Sequence, residues 1–238
     1  MQRFISQFNI AFVVDNRWKY ILQGLGMTLL LTFLSLIVGV VIGILIASVR
    51  STWDRIGAEM RKGAGRTLLK IADRLCRIYL TVIRGTPVMV QILIIFFIFM
   101  ASSQNKLLSG VIAFGINSGA YVAEIMRGGI MSVDIGQTEA GRSLGFNYVR
   151  TMQYIVFPQA IKNILPSLAN EFIVLLKETS VAGYVGITEL TRGALIIRGI
   201  TYQSLFPLIS IALVYLVMVM FFEWLMRKLE RRLRTSER

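Results

Sequence analysis

A polar stretch between two apolar segments, residues 124–162, holds the most regularly spaced set of candidate functional residues. Its middle, Thr138-Glu-Ala-Gly-Arg-Ser-Leu-Gly-Phe146, reads as a helical turn or two ending in glycine, a frequent residue after a helix end. The stretch could be a solvated connector, but apolar residues recur among the polar ones, which favours a face covered by a partner. The chain has no histidine and one cysteine, Cys76, so an imidazole base, a Cys/His zinc site and a disulfide are excluded. The stretch is therefore suited to recognition rather than to catalysis.

The composition indicates that the elements positioning this stretch lie in a membrane. Hydrophobic residues make up 55% of the 238, charged residues only 16%, and the mean hydropathy is +0.66. Soluble domains carry about 25% charged residues. The net charge of +13 would suggest nucleic acid in a soluble protein. Here the basic residues flank apolar runs, so they indicate orientation and attraction to anionic lipid headgroups, and no nucleic-acid partner is expected.

The apolar runs predict an all-α polytopic membrane protein with about five transmembrane helices. The predicted spans are 24–49, 79–101, 107–123, 160–177 and 203–226. Runs of about 20 residues match the thickness of a bilayer core. The second span requires Arg84 to extend toward the interface and Pro87 to kink the helix. Gly39 and Gly43 in the first span either allow close approach of another helix or reflect the general frequency of glycine in membrane helices.

The basic residues predict the orientation of these spans. They concentrate in residues 50–84, in 124–162 and in the tail, three regions that five spans place on one side. The positive-inside rule makes that side cytoplasmic, with the N-terminus outside and the C-terminus inside. Residues 1–23 are then an external amphipathic lead, 24–226 the transmembrane domain with a cytoplasmic loop at 124–159, and 227–238 a basic cytoplasmic tail. The role of the basic linker 52–67 stays open.

The loop has a more specific pattern. Glu139-Ala140-Gly141, then Gly145, then Ile155-Val-Phe157-Pro158 resembles the signature Glu-Ala-Ala-x3-Gly-x9-Ile-x-Leu-Pro of ABC-importer permeases, with Gly141 and Phe157 as departures. Further segments resemble the polar amino-acid branch of that family. They include 23–28, 83–91, 121–129, 157–161, 170–173 and 176–180. The resemblance covers about residues 18–225, and the linker 52–67 is longer than is usual in the branch.

This resemblance implies a type I ABC-importer permease fold and a transport subunit without catalytic residues or a metal site. It implies a multi-pass protein of the bacterial inner membrane. The expected partners are a dimer of ABC ATPase subunits, a second permease copy or paralogue, an extracytoplasmic amino-acid-binding protein and the lipid bilayer. The chain is expected to bind no cofactor, because ATP and Mg²⁺ belong to the ATPase. Gly63-Ala-Gly-Arg-Thr67 lacks the spacing of a phosphate-binding loop.

The resemblance also implies that the signature residues couple the spans to the ATPase. These are Glu139, Ala140, Gly141, Gly145, Ile155 and Pro158. Glu139 is expected either to cap the start of the short helix or to pair with a basic residue of the ATPase. Gly145 is expected either to end that helix in a left-handed conformation or to let the ATPase backbone approach.

Polar residues within the spans are candidates for the transport path, because such residues are costly in hydrocarbon. They are Asn117, Ser118, Tyr121, Asn170, Glu171, Lys177, Thr179 and Ser180. Glu171 could bind an ammonium group of the cargo. Hydroxyl groups, amides at a helix end or Lys177 could bind the carboxylate of the cargo. Alternatively, Asn170 and Glu171 only tie helices together.

Three other functional classes compete with this hypothesis. A membrane enzyme would need a nucleophile with a base or a metal site. An ion-driven transporter usually shows two related halves and more spans. The closest rival is an ABC permease for another small solute, such as methionine or a metal ion.

Overall fold

The computed structural model describes residues 2–235, and within them every regular element is helical. The ten α-helices are α1 Gln2–Phe8, α2 Trp18–Ile56, α3 Ala64–Gly85, α4 Val88–Ile94, α5 Lys106–Met131, α6 Ile135–Ser143, α7 Tyr148–Thr151, α8 Phe157–Glu178, α9 Leu190–Thr201 and α10 Leu205–Thr235. Short π-helical turns at Asn9–Val13, Ile95–Phe99 and Met152–Val156 extend α1, α4 and α7. The all-α fold class is confirmed.

The chain forms two compact units. The first contains the residues up to Leu36 together with Val88–Gly115 and Phe172–Leu225. The second contains Ile37–Pro87, Ile116–Glu171 and the residues from Met226 on.

In the first unit, the segment before α9 packs closely on α2. A Cβ on Gly24 would lie 2.8 Å from the Glu189 carbonyl oxygen, so α2 and this segment touch backbone to backbone. The Thr28 hydroxyl accepts a hydrogen bond from the Leu190 amide at 3.1 Å. The buried Glu189 carboxylate caps α9 by accepting from the Thr191 and Arg192 amides at 2.6 and 2.7 Å. Burial raises the pKa of this carboxyl, and those hydrogen bonds offset part of the rise.

In the second unit, α2 packs on α5 through two glycines. A Cβ on Gly39 would lie 3.1 Å from Ser118 Cβ, and one on Gly43 would lie 2.5 Å from Val122 Cγ1. The Gly43 contact leaves no room for a side chain and the Gly39 contact is unusually tight, so of the two alternatives for these glycines the structure favours close helix approach. α3 joins the same core through Leu80, and the Tyr79 hydroxyl donates to the Ile116 carbonyl.

A second cluster in this unit holds the end of α5 against the start of α8. Its buried members are Ile130, Val133, Val156, Ala160 and Ile164. A Cβ on Gly129 would lie 2.4 Å from Ile164 Cγ1, so the two helices approach closely here. This contact anchors both ends of the polar connection that carries the signature residues.

Among the described residues 2–235, three single helices are long and apolar enough to cross a membrane, namely Trp18–Ile56, Lys106–Met131 and the Leu205–Arg231 part of α10. They contain the predicted spans 24–49, 107–123 and most of 203–226. The predicted span 79–101 is not one kinked helix: it breaks at Thr86 and Pro87, and α3 and α4 pass the same test only as a bent pair. Pro87 removes a backbone donor and disfavours helix at the residue before it, which accounts for the break.

The polar connection also differs from its predicted form. Residues 124–131 are the last turns of α5 rather than loop, and Gly136 lies inside α6 rather than between helices. The predicted span 160–177 lies within α8, whose 22 residues suffice for a crossing by length. The number of spans and their orientation stay predictions. The predicted basic tail continues α10 to Thr235, and its residues 236–238 lie outside the described part.

Candidate coupling site and path residues

The short helix α6 is terminated at both ends by its own sequence. At its start the Asp134 carboxylate accepts from the Gly136 amide at 2.6 Å, so Asp134 is the cap and Glu139 is not. At its end the Gly145 amide donates to the Arg142 carbonyl, and the Phe146 amide donates to the Gly141 carbonyl. This is the Schellman pattern, which requires a left-handed residue. Gly145 has φ +82°, so the predicted left-handed helix end is confirmed.

Gly141 and Ile155, both signature residues, come together in the packing of α6 on the following turn. A Cβ on Gly141 would lie 2.8 Å from Ile155 Cδ1 and 2.9 Å from Thr151 Cγ2. No methyl group fits there without displacing the neighbours. The glycine that departs from the family signature thus allows a closer contact in this chain than an alanine would.

An arginine of the basic linker holds α6 to the end of α5. The Arg55 guanidinium donates to the Thr138 hydroxyl at 2.7 Å and to the Ile130 carbonyl at 2.6 Å. Ile130 lies in the last turn of α5, where carbonyls lack helical partners and a positive charge is favoured. Beside this contact, Arg142 of α6 pairs with Glu59 at 3.1 Å. The linker is therefore a structural support of α6.

A cavity of about 690 Å³ opens between α6 and the end of α2. Arg55, Glu59, Asp134, Glu139 and Arg142 contribute polar groups to its lining. Both carboxylates and guanidinium groups line it, so the cavity offers both signs of charge to a docking side chain.

The outer surface of this region combines exposed signature residues with exposed apolar ones. Glu139, Ala140, Gly145 and Pro158 are all exposed. Large apolar side chains are also exposed, at Ile135, Leu144, Val149 and Tyr154. A group of such side chains on a polar connection is characteristic of a surface that a partner protein covers.

Next to this surface, a network of ion pairs joins α2, α3 and α5. Its members are Arg50, Asp54, Asp73, Arg77, Arg84, Glu124 and Arg127. Arg50 lies at its centre, 2.7 Å from Glu124 Oε1 and 3.6 Å from Asp73 Oδ1. Both Arg50 and Asp73 are buried, and each has a second partner, because Arg50 also binds Glu124 and Asp73 also binds Arg77 at 2.7 Å.

The candidate path residues of the second unit separate into buried and exposed ones. Asn117, Ser118 and Glu171 are buried, and the Ser118 hydroxyl donates to Glu171 Oε1 at 2.8 Å. This bond ties α5 to α8 and supports the structural alternative for Glu171. Tyr121 is half-buried beneath the Arg84 guanidinium, 5.8 Å from the ring centre. Asn170 is exposed.

The other three candidates belong to the first unit. The buried Thr179 hydroxyl donates to the Leu176 carbonyl at 2.8 Å. Lys177 is exposed and Ser180 half-buried. The role of each path residue stays a prediction.

Sequence reasoning missed Arg55, the Arg50 network and the Asp134 cap. Asp134 had a readable signal, since an acidic residue directly before a short helix is a usual N-cap. Arg50 had a weaker one, a single arginine at the end of a long apolar run. Arg55 had none, because its partners lie more than 70 residues further along the chain.

The apolar helices of crossing length, with a doubly capped short helix in the polar connection between two of them, are consistent with a multi-pass membrane permease. The chain belongs to the family of binding-protein-dependent transport system inner membrane components, whose model matches residues 63–235. It is a permease subunit of an ABC importer in the bacterial inner membrane. Membership implies an ABC ATPase and a binding protein as partners.

Individual relatives agree with this family. The chain is 34% identical to an arginine transport system permease protein, ArtQ, of Bacillus subtilis, over 92% of this chain and 94% of that protein. It is 34% identical to a glutamine transport system permease protein, GlnP, of Escherichia coli, over 90% and 93%.

Solved structures share the fold. A crystal structure of an amino acid ABC transporter with histidines matches with a TM-score of 0.79 and 42% identity, over 93% of this chain and 98% of that one. An inward-facing MetNI methionine ABC transporter matches with a TM-score of 0.75 over 90% and 95%. At 17% identity, that match shows the fold alone.

Proposed function

We propose that this permease carries polar amino acids across the inner membrane, with α6 as its joint to the ATPase. Two copies of the chain, or one copy and a paralogue, form the path, because the five predicted spans are too few to enclose an alternating-access route alone. ATP and Mg²⁺ are bound by the ATPase subunits. A periplasmic amino-acid-binding protein delivers the cargo.

The cargo class rests on the named relatives. Permeases for arginine and for glutamine are each 34% identical to the chain over at least 90% of its length. The 42% identical structure is of an amino acid transporter. The methionine transporter shares only the fold, so the similarity favours polar amino acids over methionine or a metal ion.

The geometry of α6 supports the proposed role of this helix in coupling. Its two ends are fixed by Asp134 and Gly145, its inner side packs through Gly141, and Arg55 holds it to α5. Its outer side presents Glu139 among exposed apolar residues. A helix held at several points moves as a rigid body, so displacement by a closing ATPase dimer passes to α5 and α2.

Glu171 is the strongest of the path candidates, because its carboxylate is a buried charge within a helix of crossing length. It binds Ser118 through Oε1. In this proposal the Glu171 carboxylate also meets the ammonium group of the cargo.

Two variants of Gly145 test the coupling site and separate the two roles expected of this residue. Gly145→Ala strains the left-handed backbone by about 1 kcal/mol or more while adding only a methyl group, for which there is open space. Gly145→Asn tolerates the left-handed conformation but adds a side chain on the exposed surface. Uptake and ATPase association are measured in parallel for both variants.

We expect Gly145→Asn to lower ATPase association and uptake more than Gly145→Ala, because the surface is covered by a partner. Insertion into the membrane should be normal for both, since Gly145 lies outside every span. A matched control is Gly63→Asn in the linker, where a side chain also meets open space. Normal uptake by Gly145→Asn would refute α6 as the joint.

A further inference from the structure

Helix α3 presents an apolar stripe that no part of the described chain covers. The stripe consists of Leu68, Ile71, Leu75, Ile78 and Val82, whose side chains are 52–70% exposed. At about 100° per residue, these five positions fall within about 80° of the helix circumference. α3 therefore has a continuous apolar side along most of its 22 residues.

A basic edge runs beside this stripe. Lys70 and Arg74 lie about 100° round the helix from the centre of the stripe. Both side chains are exposed, and neither takes part in an ion pair with any described residue. Arg77 and Arg84 differ from them, because they are bound to Asp73, Asp54 and Glu124. Lys70 and Arg74 thus leave two positive charges for a partner outside the chain.

The remaining side of α3 faces its own unit. Leu80 and Asp73 are buried there, and Tyr79 donates to the Ile116 carbonyl. Around its circumference α3 thus presents a side packed on the protein core, an exposed apolar stripe and an exposed basic edge. At the inner surface of a bilayer, the acyl region and the anionic headgroups would face the apolar stripe and the basic edge, which lie about 100° apart on the helix.

A crossing orientation of α3 conflicts with its charges. Arg66 and Arg84 are 18 residues apart, about 27 Å along the axis, close to the ~30 Å thickness of the hydrocarbon core. A crossing helix would carry the exposed and unpaired Lys70 and Arg74 into hydrocarbon, where basic residues are rare and costly. An in-plane orientation avoids this.

We propose that α3 lies in the plane of the inner leaflet, with its apolar stripe in the acyl region and with Lys70 and Arg74 binding anionic lipid headgroups. Helices with an apolar face and Lys or Arg beside it bind membranes in this way. A second copy of the chain fits the stripe less well. If two copies paired through this stripe about a two-fold axis, both basic edges would lie on the same side, so their like charges would be brought together.

Depth measurements on the full chain in nanodiscs test the orientation. Single cysteines at Leu68, Leu75 and Val82, in a Cys76→Ser background, carry spin labels whose exposure to oxygen and to a polar nickel reagent reports depth. An in-plane helix gives equal depth at all three positions. A crossing helix gives depths that differ by about 21 Å between Leu68 and Val82, and that result would overturn the proposal. Disulfide cross-linking between copies at Leu75→Cys would overturn it too.

Lipid titration tests the basic edge. The full chain in phosphatidylcholine nanodiscs with increasing phosphatidylglycerol is compared with K70Q/R74Q. Each basic residue near an anionic surface contributes roughly fivefold in affinity, so the double variant should bind phosphatidylglycerol about 25-fold more weakly. R61Q/K62Q removes the same charge from the exposed linker and should retain binding. Unchanged binding by K70Q/R74Q, or an equal loss in both variants, would refute the site. Neither readout requires the ATPase or transport, so the result is independent of the proposed function.

Discussion

Removing the Arg55 side chain is expected to uncouple ATP hydrolysis from transport. Arg55 donates to the Thr138 hydroxyl at 2.7 Å and to the Ile130 carbonyl at 2.6 Å, which links α2, α5 and α6. These two bonds join the end of α2 to α6 and to the last turn of α5. Without them, displacement of α6 is no longer passed fully to the helices of the path.

The magnitude follows from the two hydrogen bonds. A hydrogen bond from a charged donor contributes about 1.5–3 kcal/mol when its partner stays dry. Thr138 lines the cavity beside Arg55, where water competes for its hydroxyl, so we take a low value of about 1 kcal/mol for each bond. The loss of about 2 kcal/mol corresponds to roughly a thirtyfold fall in the population with α6 held in place.

The assay compares uptake with ATP hydrolysis in proteoliposomes containing the permease, its ATPase and loaded binding protein. Arg55→Ala should lower the amount of cargo moved per ATP by about tenfold or more, with the ATPase still bound. Arg55→Lys keeps the charge but loses the planar fork, and should give an intermediate value. Arg61→Ala removes the same charge from the exposed linker and serves as the matched control. If Arg55→Ala behaves as Arg61→Ala does, the supporting role of Arg55 is refuted.

Two further predictions concern topology and cargo. A cysteine placed near Lys106 in a Cys76→Ser background should react with an impermeant thiol reagent from outside, whereas one near Asn147 should not. Labelling from the opposite sides would contradict the orientation. Glu171→Gln leaves an acceptor for the Ser118 hydroxyl but removes the charge. It should raise the cargo concentration for half-maximal uptake about ten- to a hundredfold, because a charge-assisted hydrogen bond contributes about 1.5–3 kcal/mol. Unchanged uptake kinetics would mean that Glu171 only ties helices together.

Features that depend on neighbouring residues could be read from the sequence. The long apolar runs predicted membrane helices, because length and hydropathy are local properties. The spacing from Glu139 to Pro158 identified the polar connection. Gly145 was expected to end a short helix in a left-handed conformation, and it has φ +82°. The backbone preference of one glycine and the hydrogen bonds of one turn decide that feature, so distant residues hardly affect it.

Where a helix ends or breaks was harder to predict. The sequence placed a kink at Pro87, whereas the chain breaks there and continues as a separate helix. Residues 124–131 read as loop because Glu124 and Arg127 are charged. In the structure both are bound in ion pairs with Arg50 and Asp54, and α5 continues to Met131. The charged residues thus ended the apolar run in the sequence without ending the helix, because Glu and Arg are both compatible with a helix.

Contacts between distant parts of the chain were decided only by the tertiary structure. Arg55 and Thr138 are 83 residues apart, as are Glu59 and Arg142. No local pattern could predict these pairs, because an arginine on an exposed surface is solvated equally well without a partner. Gly141 likewise looked like a minor departure from a signature until Ile155 proved to lie where its Cβ would be. The sequence alone thus predicted the long apolar helices and located the polar connection that carries the signature spacing. Packing determined how that segment is held, since the positions of helices relative to one another depend on contacts along their whole length.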